Sequence, residues 1–188
     1  MLINYGSCVV SLSHNSIPLY TLTFITNPTA DYIELTASGY HQVLNTITVP
    51  ANTVVTCEAE KVGYVLYRNT ITVTETQTET VALEPGVQFT INPTPSDALV
   101  TVTIDGYTYP PENNTTYVPI GRPFSYRVSK AGYAPKFDTI TVSEPTTVNI
   151  ELEPLTPVNL DGFTYTINDN YDAIITDYTD TNSDVTVP

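Results

Sequence analysis

The chain has 188 residues and a net charge of −14, from six Lys and Arg against twenty Asp and Glu. It contains no basic run, and a nucleic-acid interface needs clustered cations that release counterions, so composition excludes nucleic-acid binding and disfavours an anionic membrane surface. A hydrophobic share of 41%, with 14 Tyr and 15 Pro, and no long helical period of apolar residues favour an all-β protein with buried cores.

Residues 1–20 form an N-terminal arm whose short apolar run is broken by Ser and preceded by no Lys or Arg. This pattern predicts neither a signal peptide nor a membrane span. We therefore expect export by another route, or assembly inside a cell into a particle that is later released. Cys8, Val9, Val10 and Leu12 of the arm are predicted to anchor the chain by adding a strand to a neighbouring subunit.

Two long stretches of the chain repeat each other. KVGYVLYRNTITV at 61–73 recurs as KAGYAPKFDTITV at 130–142, offset by 69, with seven of thirteen positions identical. Upstream, Phe24, with Asn27 and Pro28, matches Phe89, with Asn92 and Pro93, at an offset of 65. The change of four residues between these offsets predicts a hairpin of different length in the two copies.

The repeats predict a division of the chain into four parts. A period near 69 is longer than that of solenoid repeats, so each unit should build its own core. We predict module 1 at 21–85, module 2 at 86–154, and a linker with a small β tail at 155–188, after the arm. The Pro-rich joints between these parts are short and stiff, which favours an elongated arrangement.

Turn residues divide each unit into short strands. The second unit predicts a strand at 87–91, a turn at 92–95, a strand at 99–104, the Asp105-Gly106 hairpin, a loop at 110–114, a strand at 124–129 and a last pair at 139–142 and 148–152. So many strands in under 70 residues predict a small Ig-like β-sandwich or open barrel. In the first unit, residues 72–80 are predicted to begin as a strand, enter an exposed turn and offer a polar edge to a neighbour.

This order of elements resembles the PEGA-type and related immunoglobulin-like β modules. The Lys-x-Gly-Tyr that is typical of the family stands at 61–64 and again at 130–133. The first unit departs from the pattern at 37–39, where Ala-Ser-Gly replaces the Asp-Gly hairpin. The resemblance covers about 21–154 and implies surface or envelope modules without catalysis.

Residues 161–188 resemble the opening of BspA-type leucine-rich repeat surface proteins. That resemblance predicts strands at 163–167 and 173–176 across an Asn-Asp-Asn turn, followed by an acidic turn and a Val-x-Val-Pro ending. Repeats would normally begin after Pro188. We therefore expect either a longer protein or a cap retained alone.

Few residues offer catalytic or metal chemistry. His14 and His41 complete neither a zinc spacing nor a nucleophile–base motif, and no Gly-rich phosphate loop is present. Asp180, Asn182 and Asp184 have the spacing of the first three ligands of a calcium loop, but its Gly and its Glu are missing, which favours a solvated acidic turn. We predict a protein without enzymatic activity, cofactor or metal.

Tyr107, Tyr109 and Tyr117 flank a loop that contains Asn113 and Asn114. Exposed Tyr beside Asn and Thr suits contact with a glycan or a protein. The alternative is that these rings cover the ends of the sandwich. The same loop holds two overlapping glycosylation sequons, for which a polar loop tip is the alternative interpretation.

The two cysteines, Cys8 and Cys57, have two interpretations. They bridge, within one chain or between neighbouring subunits, or they remain idle or buried thiols. The sequence leaves both open, and Cys57 is accordingly a candidate assembly residue together with the arm.

These features predict a non-enzymatic structural or adhesive protein on the surface of a virus particle, as a bacteriophage head-decoration or fibre component. The arm would attach to other virion proteins, copies would form a homo-oligomer, and the distal modules would contact a host-surface glycan or protein. The alternative is an extracellular, bacterial cell-surface or appendage subunit that polymerises by N-terminal strand exchange. An accessory carbohydrate-binding module of an enzyme is a third class, disfavoured because Trp is absent.

Overall fold

The computed structural model describes residues 17–156, 158–160, 163–167 and 173–178. The first module contains Leu19–Asn27 (β1), Tyr32–Ala37 (β2), Tyr40–Gln42 (β3), Thr46–Pro50 (β4), Thr53–Glu60 (β5), Tyr67–Val73 (β6) and Gln77–Ala82 (β7). The second contains Gly86–Thr94 (β8), Leu99–Ile104 (β9), Tyr107–Tyr109 (β10), a 3₁₀ turn at Glu112–Asn114, Thr115–Pro119 (β11), Phe124–Ser129 (β12), Tyr133–Ala134 (β13), Lys136–Ile140 (β14) and Thr146–Glu151 (β15). Glu153–Pro154 (β16), Val158–Leu160 (β17), Phe163–Ile167 (β18) and Ala173–Tyr178 (β19) follow.

The first module is a sandwich of two sheets. Strand β1 lies between β4, which is antiparallel to it, and β7, which is parallel. The facing sheet has the antiparallel order β3-β2-β5-β6. Side chains alternate along a strand, so Leu22 and Phe24 of β1 both point inward and are fully buried beside Leu35 and Val55. This alternation of apolar and polar residues sets which face of each strand forms the core.

The second module repeats the same plan around a more aromatic core. Its sheets have the orders β11-β8-β15 and β10-β9-β12-β14. The ring of Phe89 meets that of Phe124 edge-on, with centroids 4.9 Å apart, and lies 5.9 Å from Tyr126. The prediction of an all-β chain with two tandem sandwich modules is confirmed.

Strand pairing shows which residues of the two modules correspond. Tyr20 pairs with Val49 in the first module, and Val87 pairs with Val118 in the second. The offset is therefore 69 between β4 and β11, as the sequence match predicts, but 67 between β1 and β8. The predicted offset of 65 for this strand is wrong by two residues. A shift of two leaves every side chain on the same face of the strand, so the apolar pattern cannot detect it.

The corrected register changes two equivalences. Leu22, and not Phe24, takes the place of Phe89, while Phe24 corresponds to Ile91. The remaining length difference is two residues instead of four. It lies between the third and fourth strands of each module, where 43–45 in the first correspond to the longer 110–114 in the second.

Two further predictions about strands and turns need correction. Strand β8 runs to Thr94 beside β15, so the turn predicted at 92–95 starts only at Pro95. The predicted last pair does not form, because β14 pairs with β12 whereas β15 pairs with β8 in the opposite sheet. In the first module, residues 74–76 form the exposed turn that was expected, and β7 follows it as an edge strand of its sheet.

The described part of the tail is a small antiparallel sheet. Strands β18 and β19 pair where the sequence predicts a hairpin, and β17 adds a third strand against β18. The predicted tail module is therefore a three-stranded sheet in the described residues. Residues 1–16 of the predicted arm and the candidate calcium residues Asp180, Asn182 and Asp184 lie outside the described residues. The arm was predicted to extend to residue 20, but Leu19 and Tyr20 already belong to β1.

Candidate functional site at the joint between the modules

The Lys-x-Gly-Tyr repeat forms the same turn in both modules. The Tyr64 N–H donates to the Lys61 carbonyl at 3.0 Å, and the corresponding distance in the second copy is 3.1 Å. Gly63 and Gly132 occupy the third position of the turn with φ of +84° and +76°. Glycine adopts this left-handed conformation without the steric penalty that a Cβ brings.

Each of these turns ties its module to the segment that follows. The Gly86 N–H donates to the Gly63 carbonyl at 2.9 Å, and the Leu155 N–H donates to the Gly132 carbonyl at 2.8 Å. Beside these bonds Tyr64 pairs with Pro85, as Tyr133 in β13 pairs with Pro154 in β16. The repeated motif is therefore a structural element, which connects each module to the segment that follows it.

The joint between the two modules is closely packed. Val65, from the first module, is 5% exposed and belongs to the core of the second. Its N–H donates to the Glu84 carbonyl at 2.9 Å. A Cβ at Gly86 would lie 3.0 Å from the Val118 carbonyl oxygen and 3.2 Å from a Val65 methyl group. A side chain at this position would therefore require its neighbours to shift.

Two arginines connect the modules at the surface. The Arg68 guanidinium lies 4.1 Å from the centroid of the Tyr107 ring and hydrogen-bonds its hydroxyl. Arg122 bonds Asp105 and reaches back to Glu84 at 2.7 Å, and these two bonds raise the pKa of Arg122 above its ordinary value. A cleft of about 320 Å³ lies beside these contacts. Because the groups are partly exposed, each ion pair contributes little to stability, but each arginine contacts a residue of the other module.

A second cleft, which we call the joint cleft, has a volume of about 410 Å³. One wall comes from the loop after β1 and from the Lys-x-Gly-Tyr turn. The other comes from the end of β10, the 110–114 loop and β11. The lining residues are Asp31, Tyr32, Glu60, Lys61, Val62, Tyr64, Leu66, Tyr109, Pro110, Pro111, Glu112, Thr115, Thr116 and Tyr117.

The 110–114 loop is the segment in which the two modules differ in length. Asn113 and Asn114 adopt left-handed conformations, with φ of +48° and +57°, which asparagine tolerates better than most residues. The Asn114 N–H donates to the Pro111 carbonyl at 3.2 Å, and Pro111 is buried. The loop is therefore held by its own turn and presents Glu112 to the cleft.

The structure brings the residues predicted as a binding surface together only in part, since the rings of Tyr107 and Tyr109 stack with centroids 5.6 Å apart. Tyr109 and Tyr117 line the joint cleft. The Tyr107 ring instead contacts the Arg68 guanidinium, and Asn113 and Asn114 are not among the lining residues. The Tyr109 hydroxyl lies 2.9 Å from the Thr116 hydroxyl, and burial raises the pKa of its phenol. Tyr109 thus also covers part of the second core, as the alternative interpretation has it. The binding role itself stays a prediction.

Sequence reasoning missed the wall that the first module contributes. Tyr32, Glu60 and Lys61 lie far from the 107–117 loop in sequence, and Tyr64 was noted only as part of the Lys-x-Gly-Tyr motif. The repeat of the Lys-x-Gly-Tyr turn near the end of each module could have indicated a connection between modules. No pattern in the sequence indicates which surfaces that joint brings together.

Cys57 is a fully buried free thiol in the first core. Its desolvation, with a smaller effect of Glu79, raises its pKa to about 11. Strand pairing places it at the position that Tyr126 occupies in the second module, which is buried as well. Burial favours the interpretation as a packing residue. The assembly roles of Cys57 and of Cys8, Val9, Val10 and Leu12 stay predictions.

In a Cys8→Ser variant, we expect Cys57 to react with a thiol reagent only after unfolding. Reaction requires an accessible thiolate, and Cys57 in the folded chain is both protonated at neutral pH and enclosed. The measurement is the rate of colour formation with Ellman's reagent, with and without denaturant. Equal rates in both conditions would contradict this burial. For the unsubstituted chain, a non-reducing gel that shows only monomer rules out a bridge between subunits.

The loop after β1 is tied to the Lys-x-Gly-Tyr turn by Asp31. Its carboxylate lies 2.9 Å from the Lys61 ammonium and accepts the Val62 N–H at 3.1 Å. These bonds, that of Lys61 first, lower the pKa of Asp31. A carboxyl group whose pKa falls on folding stabilises the folded state above its unfolded pKa, and this contribution is lost as pH falls through the folded value.

We therefore expect Asp31→Asn to lower the melting temperature at pH 7 but not at strongly acidic pH. The difference from the unsubstituted chain should narrow once pH falls below the ordinary Asp value of 3.8. Thermal unfolding between pH 2 and pH 7 measures it. Glu75→Gln, in the exposed 74–76 turn, removes the same charge and serves as the control. A difference for Asp31→Asn that stays constant down to pH 2 would contradict the ion pair.

Other groups with possible chemistry lie apart. His41 is exposed, with its Nε2 3.1 Å from the Glu34 carboxylate, while His14 lies outside the described residues. In the described ranges, no group of three His, Cys, Asp or Glu is placed to hold a metal ion. Among the same residues, no helix has the length and apolar character needed to cross a membrane.

Comparison with known proteins gives distant likenesses only. No family model matches the chain, and no curated protein matches it significantly. Among solved structures, the chain is similar to the Bacillus anthracis TIE protein, at 11% identity over 84% of this chain and 40% of that one, with a TM-score of 0.26. It is similar to a streptococcal ancillary pilin, at 15% identity over 72% of this chain and 62% of that one, with a TM-score of 0.27. A third is GBS52, the minor pilin of Streptococcus agalactiae, at 10% identity over 75% of this chain and 98% of that one, with a TM-score of 0.26.

The chain spans less than two thirds of the length of the first two of these structures. At such TM-scores the compared structures differ widely, so function is inferred below from the residues of the chain itself. The resemblances to PEGA-type modules and to BspA-type surface proteins stay predictions.

Proposed function

We propose that the chain is a non-enzymatic structural protein of an extracellular surface, in which two β-sandwich modules form a stiff stem. The joint supports this role most directly. Val65 lies in the core of the next module, and Gly86 bonds Gly63 at a position where a Cβ would make tight contacts. A stem that carries a contact site away from its anchor needs such a restricted joint, because a flexible linker would let the modules move independently.

The environment of Cys57 supports a role without catalysis. A catalytic Cys is normally exposed and has a lowered pKa. Cys57 has the opposite properties, since it is buried and its pKa is raised.

The finer proposal is a place on a bacteriophage particle, as a head decoration or fibre component. In this role the N-terminal arm anchors the chain to other virion proteins, copies form a homo-oligomer, and the distal part contacts a host-surface glycan or protein. The net charge of −14 supports it, because like-charged copies on a crowded shell stay apart except at specific contacts.

The alternative is a bacterial cell-surface or appendage subunit that polymerises by exchange of its N-terminal strand. Strand β7 supports this alternative. It is an edge strand with Thr78 and Thr80 exposed, and Thr is readily accommodated in an added strand.

Electron microscopy with antibodies against the recombinant protein distinguishes these roles. Purified particles and producing cells are labelled side by side. We expect label at regular positions on the particle surface. Label along cell appendages, with residues 8–13 of one subunit inserted in the next, would instead support the alternative. Label confined to the cell interior would contradict both.

A further inference from the structure

We propose that the joint cleft binds neutral oligosaccharides, an inference that rests on the proposed surface role and gives its ligand a chemical class. The volume of about 410 Å³ falls within the range of roughly 300–1,000 Å³ that is usual for small-ligand sites. Such sites are common where two domains meet. Volume alone does not name a ligand, but the kinds of side chain in the two walls do.

The apolar part of the lining consists mainly of rings. Tyr32 and Tyr64 contribute from the first module, and Tyr109 and Tyr117 from the second, with prolines between them. Tyrosine combines an apolar ring with a polar hydroxyl. A sugar has the complementary pattern of a flat C–H face and hydroxyls around its edge. A protein partner anchored by Leu or Ile would need an aliphatic pocket, and in the described part of the chain only two aliphatic residues line this cleft.

The charges of the cleft select against anions. Asp31, Glu60 and Glu112 contribute carboxylates, and Lys61, the single cation among the described lining residues, lies 2.9 Å from Asp31. Phosphorylated, sulfated or carboxylated ligands are repelled by these groups and by the net charge of −14. Glu60 and Glu112 are exposed, and an ionised carboxylate only accepts hydrogen bonds. Hydroxyl groups of a neutral sugar are suitable donors for both.

The aromatic wall is specific to the second module. By strand register, Tyr109 and Tyr117 correspond to Gln42 and Thr48 in the first module. The loop beside them is also two residues longer than its counterpart at 43–45. The first module therefore shows that this fold accepts Gln and Thr at these two positions, which supplies substitutions that should leave the sandwich intact.

The two walls are held in place before any ligand binds. The Gly86–Gly63 bond and the buried Val65 hold the two modules together next to the cleft, and the Asn114–Pro111 bond fixes the loop that carries Glu112. A preformed site loses less conformational entropy on binding than a mobile one. A neutral sugar forms no ion pair with the protein, so its affinity depends more strongly on this smaller loss of entropy.

The test is an array of neutral and anionic oligosaccharides, followed by titration of the sugars retained. We expect the full chain to retain neutral sugars only. Tyr109→Gln combined with Tyr117→Thr should weaken binding about tenfold or more, because two ring contacts are lost. Tyr117→Thr alone and Glu112→Gln should each weaken it less. Tyr40→Ala removes an exposed ring of the first module (40% exposed) and should leave binding unchanged. Circular dichroism checks that each variant is folded.

Several results would overturn the inference. These are no retention of neutral sugars by the folded chain, equal retention of anionic sugars, preferential binding of a Lys-rich or Arg-rich peptide, or an equal loss in Tyr40→Ala. The proposed function fails separately. If the chain binds neutral sugars but electron microscopy places it inside the cell, the ligand class stands and the surface role is wrong. If it lies on a particle surface and binds no sugar, the surface role stands and the proposed ligand class is wrong.

Discussion

Replacement of Phe89 with alanine is expected to lower the free energy of unfolding of the second module by about 3–5 kcal/mol. The side chain is 1% exposed, and its ring contacts Phe124 and Tyr126 with centroids 4.9 and 5.9 Å away. Truncation removes buried apolar area and leaves a cavity between sheets that cannot close over it. Since a domain is stable by about 5–15 kcal/mol in total, this variant should unfold at much lower denaturant concentration.

Phe137→Ala is the matched control for this substitution. It removes the same ring from the same module, but Phe137 is 79% exposed, so a change within about 0.5 kcal/mol is expected. Urea unfolding followed by circular dichroism measures both variants. A second readout is the protection of Cys57, which should persist in Phe89→Ala while the second module unfolds, because Cys57 lies in the other core. Equal losses for both variants would contradict the assignment of Phe89 to the core.

The strands were predictable because their side chains alternate. Leu99 to Ile104 alternates exposed or half-buried with buried positions as the sequence suggests, and Asp105-Gly106 forms the expected turn between β9 and β10. The Ala-Ser-Gly stretch at 37–39 also makes a hairpin, with Gly39 at a φ of +77°. Local patterns of burial and turn residues thus carry most of the strand assignments.

Register was not predictable from the same patterns. The Asn-Pro pairs at 27–28 and 92–93 look equivalent, yet hydrogen bonding makes Asn27 the counterpart of Thr94. The Asn27 carbonyl accepts the Leu83 N–H in the first module, and the Thr94 carbonyl accepts the Leu152 N–H in the second. The chance similarity of these two short turn sequences suggested an offset of 65, whereas the structural offset is 67. Pairing partners along the whole strand decide register, and they come from distant segments that no local window contains.

The candidate site was predictable only on one side. Tyr109 and Tyr117 stood out because they flank a loop that differs between the repeats. The opposite wall depends on the angle between modules, which Val65, Gly86 and the Arg68–Tyr107 contact determine. The second copy of the turn has Ala134 where the first has Val65, and Phe137 where it has Arg68. The two copies of the motif therefore have different neighbours in the structure. The sequence alone did not indicate which copy forms part of a cleft.

Gly86→Val is expected to loosen the joint and to destabilise the chain by about 1–3 kcal/mol, the usual cost of overpacking. Its first side-chain carbon would lie 3.0 Å from the Val118 carbonyl oxygen and 3.1 Å from the Tyr117 Cβ. These are backbone or near-backbone atoms, so relief requires β8 to move away from β11 or from Val65. Movement away from Val65 separates the modules and displaces both walls of the joint cleft.

Small-angle X-ray scattering should therefore show a broader distribution of intramolecular distances for Gly86→Val than for the unsubstituted chain, and thermal unfolding should divide into two transitions. Gln88→Val is the control, because it places the same side chain at an exposed position of the same strand and should change neither measurement. Gly86→Ala should give a smaller effect in the same direction, since its single carbon needs only a small shift. If Gly86→Val scatters like the unsubstituted chain and unfolds in one transition, the joint tolerates a side chain there. The stiffness of the stem then depends on Val65 and the arginine contacts alone.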